Sequence, residues 1–295
     1  MRHKVTDVDG PVHYLDFGGE GTPLVMVHGL GGSALNWMDV GPAFARQHRS
    51  VALDLAGFGQ TPLFNRSAAV GANADLVRGF IERLFDEPVV LMGNSMGGHI
   101  AVLLAADHPE LANRLVLVDP AVPGVHVRRP APSMLGVMAA LSVPGLAESV
   151  LDRRLRSVSP EQLVREVLAL VCAEPSRLSP EIVDAHIQLT RDRAGLGSQN
   201  QRAFLQATRS LGLRMADPRF WSRARQVKAP VLVVQGELDR LIPVAAAREL
   251  VRRIPGWELE VIDGVGHVPM METPDLFMRV VSDWMAYRIQ RAAIS

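Results

Sequence analysis

The stretch Val89-Val-Leu-Met-Gly93-Asn94-Ser95-Met96-Gly97-Gly98-His99 decides the fold. It begins as a short apolar run typical of a buried strand and continues as a helical pattern as far as Asp107. Between the two lies the pattern G-x-S-x-G, in which glycines stand two residues away from a serine on either side. A sharp turn that exposes a serine hydroxyl at a strand end has room only for small neighbours. We therefore predict that Ser95 is a nucleophile; the alternative is a glycine-rich turn with a helix-capping serine.

Strand-like and helix-like segments alternate on both sides of this stretch. An extended pair near Lys4–Val8 and Val12–Phe17, separated by Asp9-Gly10-Pro11, predicts a hairpin at the sheet edge. Five other predicted strands are short apolar runs: Leu24–Val27, Val51–Leu53, Val89–Met92, Leu115–Val118 and Pro230–Val234. The last predicted strand is Glu258–Ile262. The predicted helices are 36–47, 72–85, 95–107, 244–253 and 274–290. This alternation predicts an α/β protein with a mostly parallel, doubly wound, eight-stranded sheet.

A long helical segment interrupts the alternation after Pro120–Gly124. No strand pattern occurs between residues 125 and 217, where helical patterns cover Pro160–Cys172, Ser179–Arg191 and Arg202–Leu211. The last two strands could not form a stable sheet by themselves, which disfavours two tandem domains. We predict one core made of residues 1–124 and 218–295, with residues 125–217 inserted in it as a helical cap.

The composition indicates a water-soluble globular protein with no strong electrostatic preference. Lys and Arg together number 31, as do Asp and Glu, which gives no net attraction to nucleic acid or to an anionic membrane. No apolar run reaches the roughly 18 residues of a membrane-spanning helix, and the N-terminus lacks a signal-peptide pattern, so a cytoplasmic location is expected. The single cysteine, Cys172, lies in an apolar helical pattern; we expect a buried thiol, and neither a disulfide nor a cysteine-based metal cluster.

Nine histidines compete for the role of general base. His267 follows a predicted strand near the chain end, where an imidazole could reach Ser95. His99 lies four residues into the helix after Ser95 and is expected to face away from its hydroxyl, and His28 is expected to order its own loop. His108 is expected at a helix end. The remaining histidines are expected at the surface: His3, His13, His48, His126 and His186.

The acid that orients the base should also follow a strand. Asp239 does so, 28 residues before His267, and the resulting chain order of serine, aspartate and histidine fits a triad on a sheet of this type. Asp119 also follows a strand and is the strongest rival. Glu237 lies close to Asp239 but is expected to be a solvated loop charge.

A second glycine-rich loop, Met26-Val-His28-Gly29-Leu30-Gly31-Gly32-Ser33, follows another predicted strand. An oxyanion hole needs two backbone N–H donors, and we expect them from Leu30 and Met96. The alternative is a loop that cradles phosphate, but both the G-K-[ST] lysine and the G-x-G-x-x-G spacing of nucleotide sites are absent from it.

These motifs together resemble the α/β-hydrolase superfamily over essentially the whole chain, with the cap as the least similar part. His28–Gly31 resembles its H-G-x-G oxyanion loop, and Gly93–Gly97 resembles its nucleophile turn. Asp54–Thr61 resembles its D-x-x-G-x-G-x-[ST] loop, in which the aspartate is expected to be structural. Gly236–Asp239 and Gly266–His267 resemble its acid and base loops. The resemblance implies an α/β-hydrolase fold whose serine, histidine and aspartate form an acyl-enzyme without metal or organic cofactor.

The resemblance favours a carboxylesterase or lipase-like enzyme that acts on a small-molecule ester. Ser95 disfavours epoxide hydrolases and haloalkane dehalogenases, which use aspartate at this position. Carbon–carbon hydrolases of meta-cleavage pathways share the Gly93-Asn-Ser95 pattern but typically carry tryptophan where this chain has Val268. They stay an alternative, as do cofactor-free haloperoxidases or perhydrolases and a receptor-like ligand-binding member of the fold.

Several apolar residues are expected to line a substrate pocket under the cap, although each could equally belong to the core: Leu30, Phe58, Met96, Val122, Leu241 and Val268. No nucleic-acid partner and no integral membrane association are expected. The patterns leave the oligomeric state open.

Overall fold

The computed structural model describes residues 1–124, 145–194 and 198–292. Its centre is an eight-stranded sheet in the order β1-β2-β4-β3-β5-β6-β7-β8. The strands are β1 (Arg2–Asp7), β2 (Pro11–Gly18), β3 (Pro23–Val27), β4 (Arg49–Leu53), β5 (Val89–Asn94), β6 (Ala112–Val118), β7 (Val231–Gly236) and β8 (Glu258–Ile262). β2 runs antiparallel to both its neighbours, and the other five strand pairs are parallel. The predicted mostly parallel sheet, with a hairpin at its edge, is therefore confirmed.

Helices connect the strands. Those outside the predicted cap are α1 (Gly41–Phe44), α2 (Val70–Leu84), α3 (Met96–Asp107), α8 (Arg219–Ala224), α9 (Val244–Arg253), α10 (Pro269–Glu272) and α11 (Pro274–Ala292). The described residues between β6 and α8 contain α4 (Leu146–Ser157), α5 (Pro160–Val171), α6 (Pro180–Ala194) and α7 (Ser198–Met215). No strand is found in the described part of 125–217, which is compatible with the predicted helical cap; the boundaries of that cap stay a prediction.

One predicted helix is wrong in its length. Residues 36–47 do not form a single helix; a 3-10 helix at Ala34–Trp37 is followed by the short α1. The reason is Pro42, which has no N–H to bond the carbonyl of Met38 and therefore fits only the first turn of a helix. Ser33 caps the 3-10 helix, because its hydroxyl accepts Leu35 N–H at 3.3 Å.

Apolar side chains cover the sheet on both faces, which is why its central strands are continuous apolar runs. In β3, Val25 and Val27 are buried in a cluster that includes side chains of α2 and α3. Met26, between them, is buried in the cluster on the other face, which includes side chains of α11. This division follows from the two-residue period of a strand.

The carboxyl ends of β5, β6 and β7 lie side by side, because these parallel strands are neighbours in the sheet. Ser95 directly follows β5, Asp119 directly follows β6, and Asp239 lies three residues beyond β7. The topology thus brings the predicted nucleophile and both rival acids to the same end of the sheet, where ligands of open α/β sheets bind.

Polar side chains of the segment between β6 and β7 bind backbone groups elsewhere in the fold. Ser210 on α7 accepts Val70 N–H at 3.0 Å. Arg193 on α6 donates to the carbonyl of Gly57 at 2.7 Å and also to that of Gly59. These contacts satisfy backbone groups that a covering segment would otherwise leave unpaired.

Cys172 is buried at the end of α5, as expected, and burial raises the pKa of its thiol to about 12. His126, for which a surface position is predicted, lies outside the described residues. Of the helices in the described ranges, none combines the length and the apolar character needed to cross a bilayer.

Candidate active site

The turn between β5 and α3 holds Ser95 in a strained backbone conformation. Its φ and ψ are 55° and −114°, a region that residues other than glycine rarely adopt. Ser95 N–H donates to Val118 O at 2.9 Å, and Ser95 O accepts the N–H groups of His99 and Ala121, each at 3.1 Å. These hydrogen bonds hold the backbone in its strained conformation, which fixes the position of the Ser95 Cβ atom.

Glycines around Ser95 allow backbones to approach more closely than any side chain would permit. A Cβ atom added to Gly97 would lie 2.4 Å from Val27 O, and one added to Gly93 would lie 2.3 Å from Gly97 O. Real Cβ atoms essentially never come closer than 3.0 Å to a heavy atom in this way. Both glycines of the G-x-S-x-G pattern are therefore required by packing.

The glycine-rich loop after β3 lies directly against this turn. A Cβ atom added to Gly29 would come 2.9 Å from Ser95 Cβ. Leu30 N–H makes no hydrogen bond to any group of the described ranges, and Met96 N–H, at the first position of α3, has no acceptor inside its helix. The two predicted oxyanion donors thus flank the turn, where α3 adds the positive end of its dipole.

His28 orders this loop through both of its ring nitrogens. Its Nδ1 pairs with Gly29 O at 2.7 Å and its Nε2 accepts Leu55 N–H at 3.1 Å, which assigns the ring proton to Nδ1. Complete burial lowers the pKa of His28, so the ring is neutral. Phe58 packs edge-on against it, with ring centroids 5.7 Å apart.

His267 and Asp239 are joined by a direct hydrogen bond. Nδ1 of His267 donates to Oδ2 of Asp239 at 2.7 Å, and both side chains are buried. Asp239 Oδ1 accepts the N–H groups of Leu241 at 2.7 Å and Ile242 at 3.0 Å. Burial disfavours the Asp239 anion, but His267 and these donors outweigh burial and lower the pKa of Asp239. Asp239 is therefore an anion that binds the Nδ1 proton of His267.

Asn94 connects the Ser95 turn to the His267 loop. Its side-chain amide donates to His267 O at 3.0 Å and to Val118 O at 3.2 Å. Among the residues that the structure describes, neither the Ser95 hydroxyl nor Nε2 of His267 makes a hydrogen bond, so the serine–histidine contact is open. Catalytic contacts of this kind are often long without substrate and tighten in the complex.

Asp119, the rival acid, lies beside the His267–Asp239 pair. One polar atom each from these three side chains lies within 4.8 Å of the other two. Asp119 Oδ1 accepts Gly236 N–H at 2.8 Å and the Gln235 amide at 2.7 Å, and the same amide nitrogen donates to Asp239 Oδ2 at 3.2 Å. Complete burial, followed by the charge of Asp239, raises the pKa of Asp119 well above its usual range.

Two carboxylates and an imidazole are also donor types that divalent metals accept. The nitrogen of His267 that faces the carboxylates is Nδ1, which carries a proton in its bond to Asp239. A metal needs the lone pair that this proton occupies. The three side chains therefore fit a hydrogen-bonded acid–base cluster better than a metal centre.

Sequence reasoning missed Gln235. It is a fully buried amide at the end of β7, in the otherwise apolar run Val231-Leu-Val-Val-Gln235. A polar side chain that interrupts a buried strand needs a buried partner, and this signal could have indicated it. The partners are the two aspartates described above.

Glu272 on α10 was also missed. Its buried carboxylate accepts Gly266 N–H at 2.9 Å, Ala173 N–H at 3.0 Å and Glu174 N–H at 2.9 Å. Next to it, His267 N–H donates to Val171 O at 2.6 Å. The base loop is thereby tied to the segment after α5. A glutamate within the apolar run Pro269-Met-Met-Glu272 is the sequence signal for such a buried acceptor.

The prediction that His13 lies at the surface is wrong. β2 is covered on both faces, so His13 is buried, with its Nδ1 2.6 Å from Asp54 Oδ2 and its Nε2 2.9 Å from His3 Nδ1. The Asp54 carboxylate also accepts the N–H groups of Ala34 and Gln60, each at 2.7 Å. Asp54 thus links β2, the 3-10 helix and the loop after β4, which is a structural role.

Two other candidate residues, His99 and Glu237, make their hydrogen bonds with groups other than the Ser95 hydroxyl. His99 pairs through Nδ1 with Ala121 O at 3.0 Å and stacks on Phe220, and burial lowers its pKa to about 4. Glu237 is exposed and accepts Gly264 N–H at 3.0 Å. Neither contributes to the hydrogen bond between His267 and Asp239.

The predicted pocket residues divide between the two faces of the sheet. One cluster contains three of them and contacts a fourth at its edge: Phe58, Met96, Val122 and Leu30. Val268 is buried in the cluster on the other face. Leu241 is half-buried, and its N–H is used by Asp239. The six residues thus do not share one packing cluster, and their place in a common pocket stays a prediction.

Comparison with known proteins agrees with this architecture. The profile of the Alpha/beta hydrolase family matches residues 24–280. That range is most of the chain, and the protein belongs to the α/β hydrolase family. The predicted fold and family resemblance are thus confirmed.

Individual relatives cover nearly the whole chain. It is 27% identical over 291 residues to 2-hydroxy-6-oxononadienedioate/2-hydroxy-6-oxononatrienedioate hydrolase 2 of Pseudomonas putida, which spans 97% of this chain and 95% of the relative. A solved serine hydrolase involved in carbazole degradation is 25% identical with a TM-score of 0.74, covering 97% of this chain and 99% of that one. An esterase from Thermogutta terrifontis has a TM-score of 0.73 over the same shares at 23% identity, a level that supports the fold alone.

Proposed function

We propose that this protein is a serine hydrolase that breaks a carbon–carbon bond beside a ketone carbonyl, in a substrate of the 2-hydroxy-6-oxo dienoic acid class. One observation carries the proposal: the similarity to the Pseudomonas putida hydrolase extends over 97% of the chain. It therefore includes the helical segment between β6 and β7, which is the part expected to shape the pocket, and not the sheet alone.

Ser95 is the nucleophile in this proposal. Its hydroxyl gives its proton to Nε2 of His267 while Oγ attacks the ketone carbon, and the carbonyl oxygen becomes an oxyanion. The N–H groups of Leu30 and Met96 bind that oxyanion. Asp239 stabilises the imidazolium through the 2.7 Å bond to Nδ1.

The leaving group separates a carbon–carbon hydrolase from an esterase. An ester releases an oxygen anion, whereas this substrate releases a carbanion that needs conjugation with the dienol acid and a proton on carbon. The imidazolium of His267 supplies that proton, and the neutral imidazole then deprotonates the water that cleaves the acyl-enzyme. The same residues serve both reactions, so the pocket decides between them.

The test compares two substrates on one nucleophile. We expect kcat/KM for 2-hydroxy-6-oxonona-2,4-dienedioate, followed by the loss of its dienolate absorbance, to exceed that for p-nitrophenyl butyrate by about 100-fold, a difference of about 2.7 kcal/mol in transition-state binding. Ser95→Ala should reduce both about 10⁴-fold or more. A ratio in favour of the ester would reject the carbon–carbon proposal. No turnover of either, with no labelling of Ser95 by a fluorophosphonate, would reject the hydrolase itself.

A carboxylic-ester hydrolase is the second candidate, and Val268 favours it. The side chain directly after His267 is small and buried among apolar neighbours. Resemblance to the meta-cleavage hydrolases implies a tryptophan at this place. The same pair of substrates distinguishes the two candidates, and a graded series of acyl chain lengths would then define the ester preference.

A further inference from the structure

We propose that Asp119 is a neutral acid that donates a hydrogen bond to Asp239, so that the acid behind His267 is a pair of carboxyl groups sharing one proton. Asp119 is a positioning residue in this arrangement, because it acts on His267 through Asp239. The inference rests on the proposed function only in assigning His267 as the base.

The two oxygens of Asp119 have different surroundings. Oδ1 accepts two donors, Gly236 N–H at 2.8 Å and the Gln235 amide at 2.7 Å. Oδ2 is buried and has no hydrogen-bond donor among the described residues. An anionic oxygen without a donor in a buried site is costly, whereas a protonated one can donate. The geometry therefore assigns the proton to Oδ2.

Asp239 is the acceptor that this proton can reach. One oxygen of each carboxyl group and one ring nitrogen of His267 lie within 4.8 Å of one another, so Asp239 is the carboxylate beside Asp119. Two carboxylates at such a distance cannot both stay ionised, because like charges repel strongly in a buried site. Of the two, Asp239 is the one that stays ionised, since it accepts a hydrogen bond from Nδ1 of His267.

The surroundings of Asp119 support the neutral form. The charged groups that act on it are Asp239 and Glu272, both of which disfavour a further negative charge. Burial and these two carboxylates together raise the pKa of Asp119 well above its usual range.

As a consequence, Asp239 attracts the Nδ1 proton of His267 less strongly. A hydrogen bond donated to Asp239 takes up part of its negative charge, so Asp239 stabilises the imidazolium less than an isolated carboxylate would. The pair titrates as one unit, and its apparent pKa values belong to both groups.

Two variants distinguish a neutral Asp119 from an ionised one. Asn keeps the Oδ1 acceptor and replaces the donating O–H with an N–H, so Asp119→Asn should keep kcat/KM within about threefold of wild type, with an unchanged acidic limb of the pH profile. Asp119→Ala removes the donor, so its acidic limb should move up by about one pH unit. If Asp119 is ionised, both variants remove a negative charge, and both acidic limbs move down together. That outcome would overturn the proposal.

A second measurement needs no substrate. A carboxyl whose folded pKa is raised above the unfolded value of about 3.9 contributes a stability that is full below that value and is lost as pH rises towards the folded pKa. We therefore expect the urea midpoint of wild type, relative to that of Asp119→Asn, to fall as pH is raised from about 5 to about 8. A difference that stays constant over this range would overturn the proposal even if every trial substrate fails. Failure of the proposed substrate alone leaves this result unaffected.

Discussion

Asp119 and Asp239 follow neighbouring strands and are buried beside the same imidazole, yet they differ in charge. Asp239 accepts four N–H groups, which come from Gln235, Leu241, Ile242 and His267. Asp119 accepts two, both on a single oxygen, and within the described chain its other oxygen has none. Which of the two acids stays an anion is decided by how many N–H groups donate to its carboxyl group. Its position after a strand does not decide this.

The largest expected effect separates the two acids by activity. Asp239→Asn should lower kcat about 10³- to 10⁴-fold, because an amide cannot hold the Nδ1 proton of His267 in the required tautomer. The rate of Ser95 labelling by a fluorophosphonate should fall with it. Asp119→Asn is the matched control, and equal losses in the two variants would contradict the distinction between the acids.

The second prediction concerns stability in acid. The pKa of Asp239 is lower in the folded protein than its unfolded value of about 3.9. The ionised side chain therefore adds to the free energy of unfolding above that pH, and this contribution is lost as pH falls through the folded pKa. The difference between wild type and Asp239→Asn should therefore shrink below that pH, with a slope of at most about 1.4 kcal/mol per pH unit. Urea unfolding of both proteins between about pH 6 and about pH 3 measures this difference in the free energy of unfolding. Asp283→Asn, at an exposed position, should show no such slope.

A smaller effect is expected from the amide that touches both acids. Gln235→Leu removes a donor from Asp119 Oδ1 and from Asp239 Oδ2 and replaces the amide with an apolar side chain of similar size. We expect the free energy of unfolding to fall by about 1–3 kcal/mol. Because Asp239 keeps three donors and Asp119 keeps one, activity should fall less than in Asp239→Asn. A Gln235→Leu variant as stable as wild type would show that the amide contributes nothing to the pair.

The smallest effect is expected at Glu237, the third carboxyl considered for the acid. It is exposed and its carboxylate accepts only Gly264 N–H among the described residues, so Glu237→Gln should change the free energy of unfolding by less than about 0.5 kcal/mol. Its kcat/KM should stay within about twofold of wild type. A loss approaching that of Asp239→Asn would mean that the acid has been assigned to the wrong residue.

Much of the fold could be predicted because it is encoded locally. Buried parallel strands are short apolar runs, and β3, predicted over Leu24–Val27, is observed at Pro23–Val27. The Ser95 turn has its own glycine signature. The helix predicted over 36–47 failed where one proline, Pro42, outweighed an otherwise continuous pattern.

The site was less predictable where tertiary contacts decide it. Strand-end position identifies Asp119 and Asp239 as candidates but cannot count the N–H groups that each will accept. His13 carries no local sign that β2 will be covered on both faces and that Asp54 will be its partner. Gln235 and Glu272 do interrupt apolar runs, so their burial could have been anticipated, but the groups that they bind lie on segments distant in sequence.

The bonds between the base loop and the segment after α5 bear on attempts to recombine this enzyme with its relatives. His267 N–H depends on Val171 O, and Glu272 holds the N–H groups of Ala173 and Glu174. A chimaera that took the whole segment between β6 and β7 from a relative would discard these acceptors and donors. Residues 171–174 should therefore be kept with the segment that carries His267 and Glu272, and a crossover should be placed before residue 171.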